Sequence, residues 1–158
     1  MKYILLYLTL SVTPIFADWG PLNLKQLLKY SDLVVLVKQN GKYEETKEPS
    51  GKTQLVEFQL SKIIKGKNLK EEQKIIVFGS QLPMCKAQYY FPNKKQDYLL
   101  FLRKQNNMFH IINGEFGALP ILNNKVKWFI PKDKQLINRE NKELTLVLKE
   151  IKEQLTKQ

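Results

Sequence analysis

Residues 98–102 read YLLFL, and this unbroken apolar run constrains the fold more than any other stretch of the chain. Five residues bounded by polar ones fit one strand better than a helix. Successive strand side chains point to opposite faces, so a run with no polar member asks for burial on both sides. Residues 96–104 (QDYLLFLRK) are therefore expected as a central strand, and the rest of the chain must supply an apolar layer on each of its faces.

Several neighbouring segments are built to do so. Residues 32–39 (DLVVLVKQ) form a compact β-branched run, the signature of a buried strand. Residues 53–64 (TQLVEFQLSKII) alternate, with Val56, Phe58 and Leu60 on one side and Glu57, Gln59 and Ser61 on the other. Lys65, Gly66 and Lys67 turn the chain, and residues 74–79 (KIIVFG) read as a third strand. Asn106 and Asn107 predict a tight turn, because asparagine tolerates positive φ. That turn leads into a fifth strand over residues 108–113, broken by Gly114 and Gly117. A hairpin of residues 118–122 and 126–130 is expected around Asn123 and Asn124. Residues 40–52 (NGKYEETKEPSGK) are polar with turn residues at both ends, and read as a surface loop.

Two helices complete the pattern. Asn23 is placed to cap a short one that carries Leu24, Leu27 and Leu28 on one face and stops near Ser31. From about Asn141 the period changes, and Leu144, Val147, Leu148, Ile151 and Leu155 fall at helical spacing. The polar face of this second helix mixes Lys142, Lys149 and Lys152 with Glu143, Glu150 and Glu153. Mixed signs fit a helix docked on a sheet better than a cationic membrane-surface helix. The expected fold is mainly β (α+β): a small antiparallel barrel, with a short N-terminal helix and a C-terminal amphipathic helix packed on it.

The opening MKYILLYLTLSVTPIFA has a lysine, then an apolar stretch too short to span a membrane, then Pro14 and Ala17, with Ile15 larger than the ideal residue three before the cut. It reads as a secretory leader cleaved after Ala17, with residues 18–158 as one domain exported to the periplasm or the exterior. The net charge is +11, and the leader holds one lysine and no acid, so cleavage lowers it by one. Arg103 and Arg139 are the two arginines among 26 basic residues. Lysine lacks the planar fork that reads bases, and export removes the chain from cellular nucleic acid. A lysine coat suits solubility, an acidic protein partner, or an anionic polymer or membrane surface.

One cysteine permits no intrachain disulfide. Cys85 is a free thiol, a buried hydrophobe or a bridge point to another chain. Met84, Cys85 and His110 are ligands of the softness that Cu(I) accepts, although their spacing forms no metal motif. A Cys-His hydrolase would use the same pair, but no local nucleophile signature accompanies it. No cofactor is expected. Tyr89, Tyr90 and Phe91 lie between Lys86 and the pair Lys94 and Lys95. Basic residues interleaved with aromatics suit stacking on bases or sugars. The same rings would also serve to pin a long loop onto the barrel. All six are retained as candidate binding residues.

The segments SDLVVLVKQ, VEFQLSKIIKGK, the cysteine followed by YLLFL, and FHIINGEFGALPI resemble, in that order, the elements of exported bacterial domains related to the netrin-like modules, which include the tissue inhibitors of metalloproteinases. The resemblance covers residues 32–126. It implies an OB-type barrel with a helix against its side. It does not carry inhibition over. Those inhibitors chelate the catalytic zinc through an N-terminal cysteine braced by disulfides, whereas the expected first residue here is Asp18. The chain is thus expected to be a non-enzymatic binding module of the cell envelope or exterior, holding an acidic protein through loops at a barrel end. The alternatives are binding of an anionic polymer or membrane through the lysine-rich face, and a thiol or copper role for Cys85 and His110.

Overall fold

The computed structural model describes residues 22–49, 51–81, 89–92, 94–106, 108–132 and 136–157. Residues 1–17, expected as a leader ending at Ala17, and Met84, Cys85 and Lys86 lie outside the described residues. The chain enters through α1 (Leu24–Tyr30), then β1 (Leu33–Glu48), β2 (Gly51–Lys65), β3 (Lys74–Gln81), β4 (Gln96–Gln105) and β5 (Met108–Ile111). A single 3-10 turn, Gly114–Phe116, leads to β6 (Ala118–Leu122), β7 (Lys125–Lys132), β8 (Leu136–Glu143) and α2 (Leu144–Leu155).

The strand order is β1-β2-β3-β5-β4, and β4 pairs back onto β1 to close a five-stranded barrel. This is the OB-like arrangement. The ladders are antiparallel except one: β3 and β5 run parallel through Val77↔Phe109 and Phe78↔His110. The upper half of β4 also pairs with β6, from Asp97↔Ile121 to Leu100↔Ala118. From there β6, β7 and β8 leave the barrel as an appended sheet.

β4 is central for the reason its sequence suggests. Tyr98, Leu100 and Leu102 point into the barrel, where Val35, Val37, Val56, Phe58, Leu60 and Val77 meet them. Leu99 and Phe101 point outward into a second core made by Leu27 and Leu28 of α1, Trp128 of β7, and Val147 and Ile151 of α2. All five β4 residues are fully buried. Each such side chain is worth roughly 1.5–3 kcal/mol of transfer free energy, so this one strand ties two cores into a single cooperative unit.

Both helices dock as expected. Asn23 and Gln26 form a reciprocal capping box at the start of α1: Gln26 N–H donates to Asn23 Oδ1 at 2.9 Å and Asn23 N–H donates to Gln26 Oε1 at 3.0 Å. On α2, Glu150 Oε2 accepts from Trp128 Nε1 at 3.0 Å and from Lys142 Nζ at 2.6 Å. The Asn123–Asn124 turn also forms, with φ of 50° and 58°.

Two expectations are corrected. Residues 40–52 are not a loop. β1 and β2 continue past the barrel as a hairpin, paired from Tyr43↔Val56 to Glu48↔Gly51. The Asn40–Gly41 signal marks a register break between Gln39 and Tyr43, with Gly41 at φ +77°, and the ladder resumes beyond it. The polar composition reflects strands that extend past the core. The second correction is β8, which the sequence reading missed by placing the last helix from about Asn141. Residues 136–143 (LINRENKE) carry no alternating pattern. They are held as a strand by the ladder with β7, from Lys125↔Glu143 to Lys132↔Leu136, and the helix begins only at Leu144.

Candidate functional site

The barrel has two ends, and the described aromatic and lysine candidates from the sequence lie at one of them. At one end lie the β1–β2 hairpin and the segment leading into β4. Here the chain folds back across the barrel mouth, and Phe91 is inserted into the interior at 1% exposure. Its ring meets Phe58 edge-on at 4.9 Å between centroids, Tyr89 at 4.9 Å and Tyr98 at 5.4 Å. Four rings in edge-to-face contact close this mouth.

The strap is held by two glutamines that sequence reading passed over. Gln54 is 2% exposed, and its amide pairs with the Phe91 backbone as a strand would. Phe91 N–H donates to Gln54 Oε1 at 2.9 Å, and Gln54 Nε2 donates to Phe91 O at 3.1 Å. Gln39, equally buried, donates from Nε2 to Pro92 O at 2.9 Å. Ser80 N–H donates to Tyr89 O at 3.0 Å. Gly79 makes this approach possible: a Cβ there would lie 2.9 Å from Tyr89 O. A signal for the glutamines exists in the alternation. Gln54 precedes Val56, Phe58 and Leu60 at the same inward parity, and Gln39 follows Leu33, Val35 and Val37. A polar residue at an inward position implies a buried backbone partner.

The candidate binding residues therefore separate. Phe91 has no face left for a ligand. Tyr89 is packed against the barrel core. Tyr90 donates a hydrogen bond from its hydroxyl to Glu45 Oε2, and the Lys52 ammonium lies 5.9 Å from its ring centroid. The carboxylate partner, with burial adding to it, raises the Tyr90 phenol above its ordinary pKa. Lys94 and Lys95 are exposed beside the strap.

The opposite end is open. A cleft of about 590 Å³ lies between the end of α1, the β2–β3 connection and the end of β4. Its rim carries Lys29, Lys65, Lys67 and Lys104, with Asp32 as the one acid among the lining residues. Its floor is apolar: Leu33, Leu69 and Phe109, which belong to or pack on the barrel core. Lys65 has a structural task, donating to Leu28 O at 2.5 Å and to Ser31 O at 2.6 Å. It thereby ties down carbonyls at the end of α1, where a cation also suits the helix dipole. Asp32 Oδ2 accepts the Lys104 backbone N–H at 2.9 Å, fixing the end of β4 to the α1–β1 junction. Lys67 and Lys104 have no carboxylate partner for their ammonium groups among the described residues.

His110 belongs to neither end. It sits on β5 opposite Arg103, with its ring tilted 41° against Phe78 at 5.1 Å. Burial lowers its pKa below the ordinary imidazole value, so it is neutral at pH 7. Among the described residues no three His, Cys, Asp or Glu side chains gather as a metal site. The sequence pairing of His110 with Met84 and Cys85 involves two residues outside the described set. Comparison of the chain with protein-family models and with curated proteins returned no match.

Proposed function

We propose that this chain is an exported binding module of the netrin-like OB kind, with no catalytic chemistry of its own, and that it holds an acidic protein partner against the open end of its barrel. The observation that carries the reading is the asymmetry of the ends. One mouth is filled by Phe91, whereas the other presents a concave, lysine-rimmed cleft with an apolar floor. Complementary charge steers such a partner and fixes its register. The OB-like closure supports the kinship, and the leader-like first 17 residues support export. A concave site with an apolar floor favours a protein over the flat lysine face that an anionic polymer or membrane surface would use.

The test compares the wild-type chain with the Lys67→Glu, Lys104→Glu double variant, each immobilised and exposed to cell-envelope extract. A partner retained by wild type at low salt, released at high salt and lost with the double variant supports the reading. A partner held equally by both proteins places the docking elsewhere. Retention of anionic vesicles in place of a protein favours the membrane reading.

A further inference from the structure

We infer that the open-end cleft receives an acidic peptide segment in which a carboxylate sits beside an apolar side chain, with Lys67 and Lys104 as the contacts of the carboxylate. This rests on the function proposed above and specifies the chemistry of the partner.

The inventory of cations leads to these two residues. Of the four lysines on the rim, Lys65 is committed to the carbonyls of Leu28 and Ser31. The Lys29 ammonium lies 5.7 Å from the ring centroid of its neighbour Tyr30, on the helix surface. Lys67 and Lys104 have no carboxylate of their own among the described residues, and they reach the cleft from two elements, the β2–β3 connection and β4. The single acid of the lining, Asp32, is turned to the Lys104 backbone. A ligand carboxylate between the two ammonium groups therefore meets positive charge already arranged around it.

The floor decides what accompanies the charge. Leu69 and Phe109 pack on the barrel core yet stay partly exposed where they line the cleft, and Leu33 lies beneath them at 2% exposure. An ion such as phosphate would leave that apolar surface wet, whereas a leucine-sized side chain would cover it. The rim is also rigidly set. Gly66 adopts φ +143°, and a Cβ there would fall 2.6 Å from Leu33 Cδ1, so the turn carrying Lys67 lies directly on the floor. Asn68 follows at φ 62°. The cleft volume of about 590 Å³ accommodates a few side chains and excludes a folded body. The segment must therefore project from its parent protein as a loop or a terminus.

The experiment is calorimetric titration at low salt with an acetylated, amidated hexapeptide bearing two glutamates flanked by leucines. Companion peptides replace the glutamates with glutamine or the leucines with serine, and inorganic phosphate serves as competitor. The cleft variant is Lys67→Ser with Lys104→Ser. The control, Lys149→Ser with Lys152→Ser, makes the same change of net charge on exposed positions of α2. Removing two ion pairs from a partly exposed site is expected to weaken the peptide about tenfold, with the control within about twofold and both altered peptides weaker than the parent. Equal weakening by both variants would overturn the inference, because the effect would then be diffuse charge. So would a serine peptide that binds as tightly as the leucine peptide, or phosphate that displaces the peptide at equal concentration. If no peptide binds while envelope capture still depends on Lys67 and Lys104, this inference fails and the proposed function stands. If capture is also lost from the wild-type chain, both fail.

Discussion

The two mouths of one barrel are finished with opposite chemistry. At the hairpin end, four aromatic rings fill the interior, and buried amides of Gln39 and Gln54 satisfy the backbone of the strap that delivers Phe91. At the other end the β2–β3 connection lies on the core through Gly66 and Leu69 beside the lysine-rimmed cleft, and the half-buried Lys65 secures α1 from the side. The difference teaches that polarity at a barrel end has two uses. Neutral amides at inward positions build structure, because their partners are backbone groups inside the fold. At the rim, Lys65 is committed to backbone carbonyls, whereas Lys67 and Lys104 keep exposed ammonium groups with no carboxylate partner among the described residues.

That contrast can be broken by substitution, beginning with the largest effect. Phe91→Ala should empty the sealed mouth and cost about 3–5 kcal/mol in urea unfolding. A loss under 1 kcal/mol would show that the ring lies over the barrel without filling it. Gln54→Ala should cost about 2 kcal/mol, because it leaves the N–H and C=O of Phe91 unpaired in a dry site. The deficit is expected to shrink when Phe91→Ala is already present, since the two act together, and a double-mutant cycle measures that coupling. At the open end, Lys65→Met should cost about 1 kcal/mol by freeing the Leu28 and Ser31 carbonyls. It should leave peptide affinity within about twofold, and a tenfold loss would move Lys65 from support into the binding surface.

The smallest effect concerns His110, which lies at neither end. Its folded pKa is lowered by burial, so the unfolded chain binds more protons as pH falls below about 6.5. Stability should therefore decline as pH falls below about 6.5, and His110→Gln should flatten that part of the profile. An unchanged slope in the variant would assign the decline to the carboxylates.

Part of this was legible in the primary structure. YLLFL announced a strand buried on both faces, and β4 joins the two cores as that run requires. The alternation of Val56, Phe58 and Leu60 points inward as read, and Asn23 caps α1 as its side chain permits. These features are local: side-chain period, cap chemistry and turn φ are decided within a few residues of chain. Residues 40–52 and 136–143 were misread for the complementary reason. Their own patterns are weak, and they become strands because a partner ladder is already in place.

The site belongs entirely to the second category. Nothing within residues 89–92 says that Phe91 enters the barrel while Tyr90 stays at its edge. That choice follows from Gln54 and Gln39, 37 and 53 residues away along the chain. Likewise Lys29, Lys65, Lys67 and Lys104 are scattered members of a lysine-rich composition until β1, β2, β4 and α1 converge at one mouth. Composition set the sign of the charge. Barrel closure, a cooperative event between distant strands, decided where that charge would surround an apolar floor and where aromatic rings would exclude water.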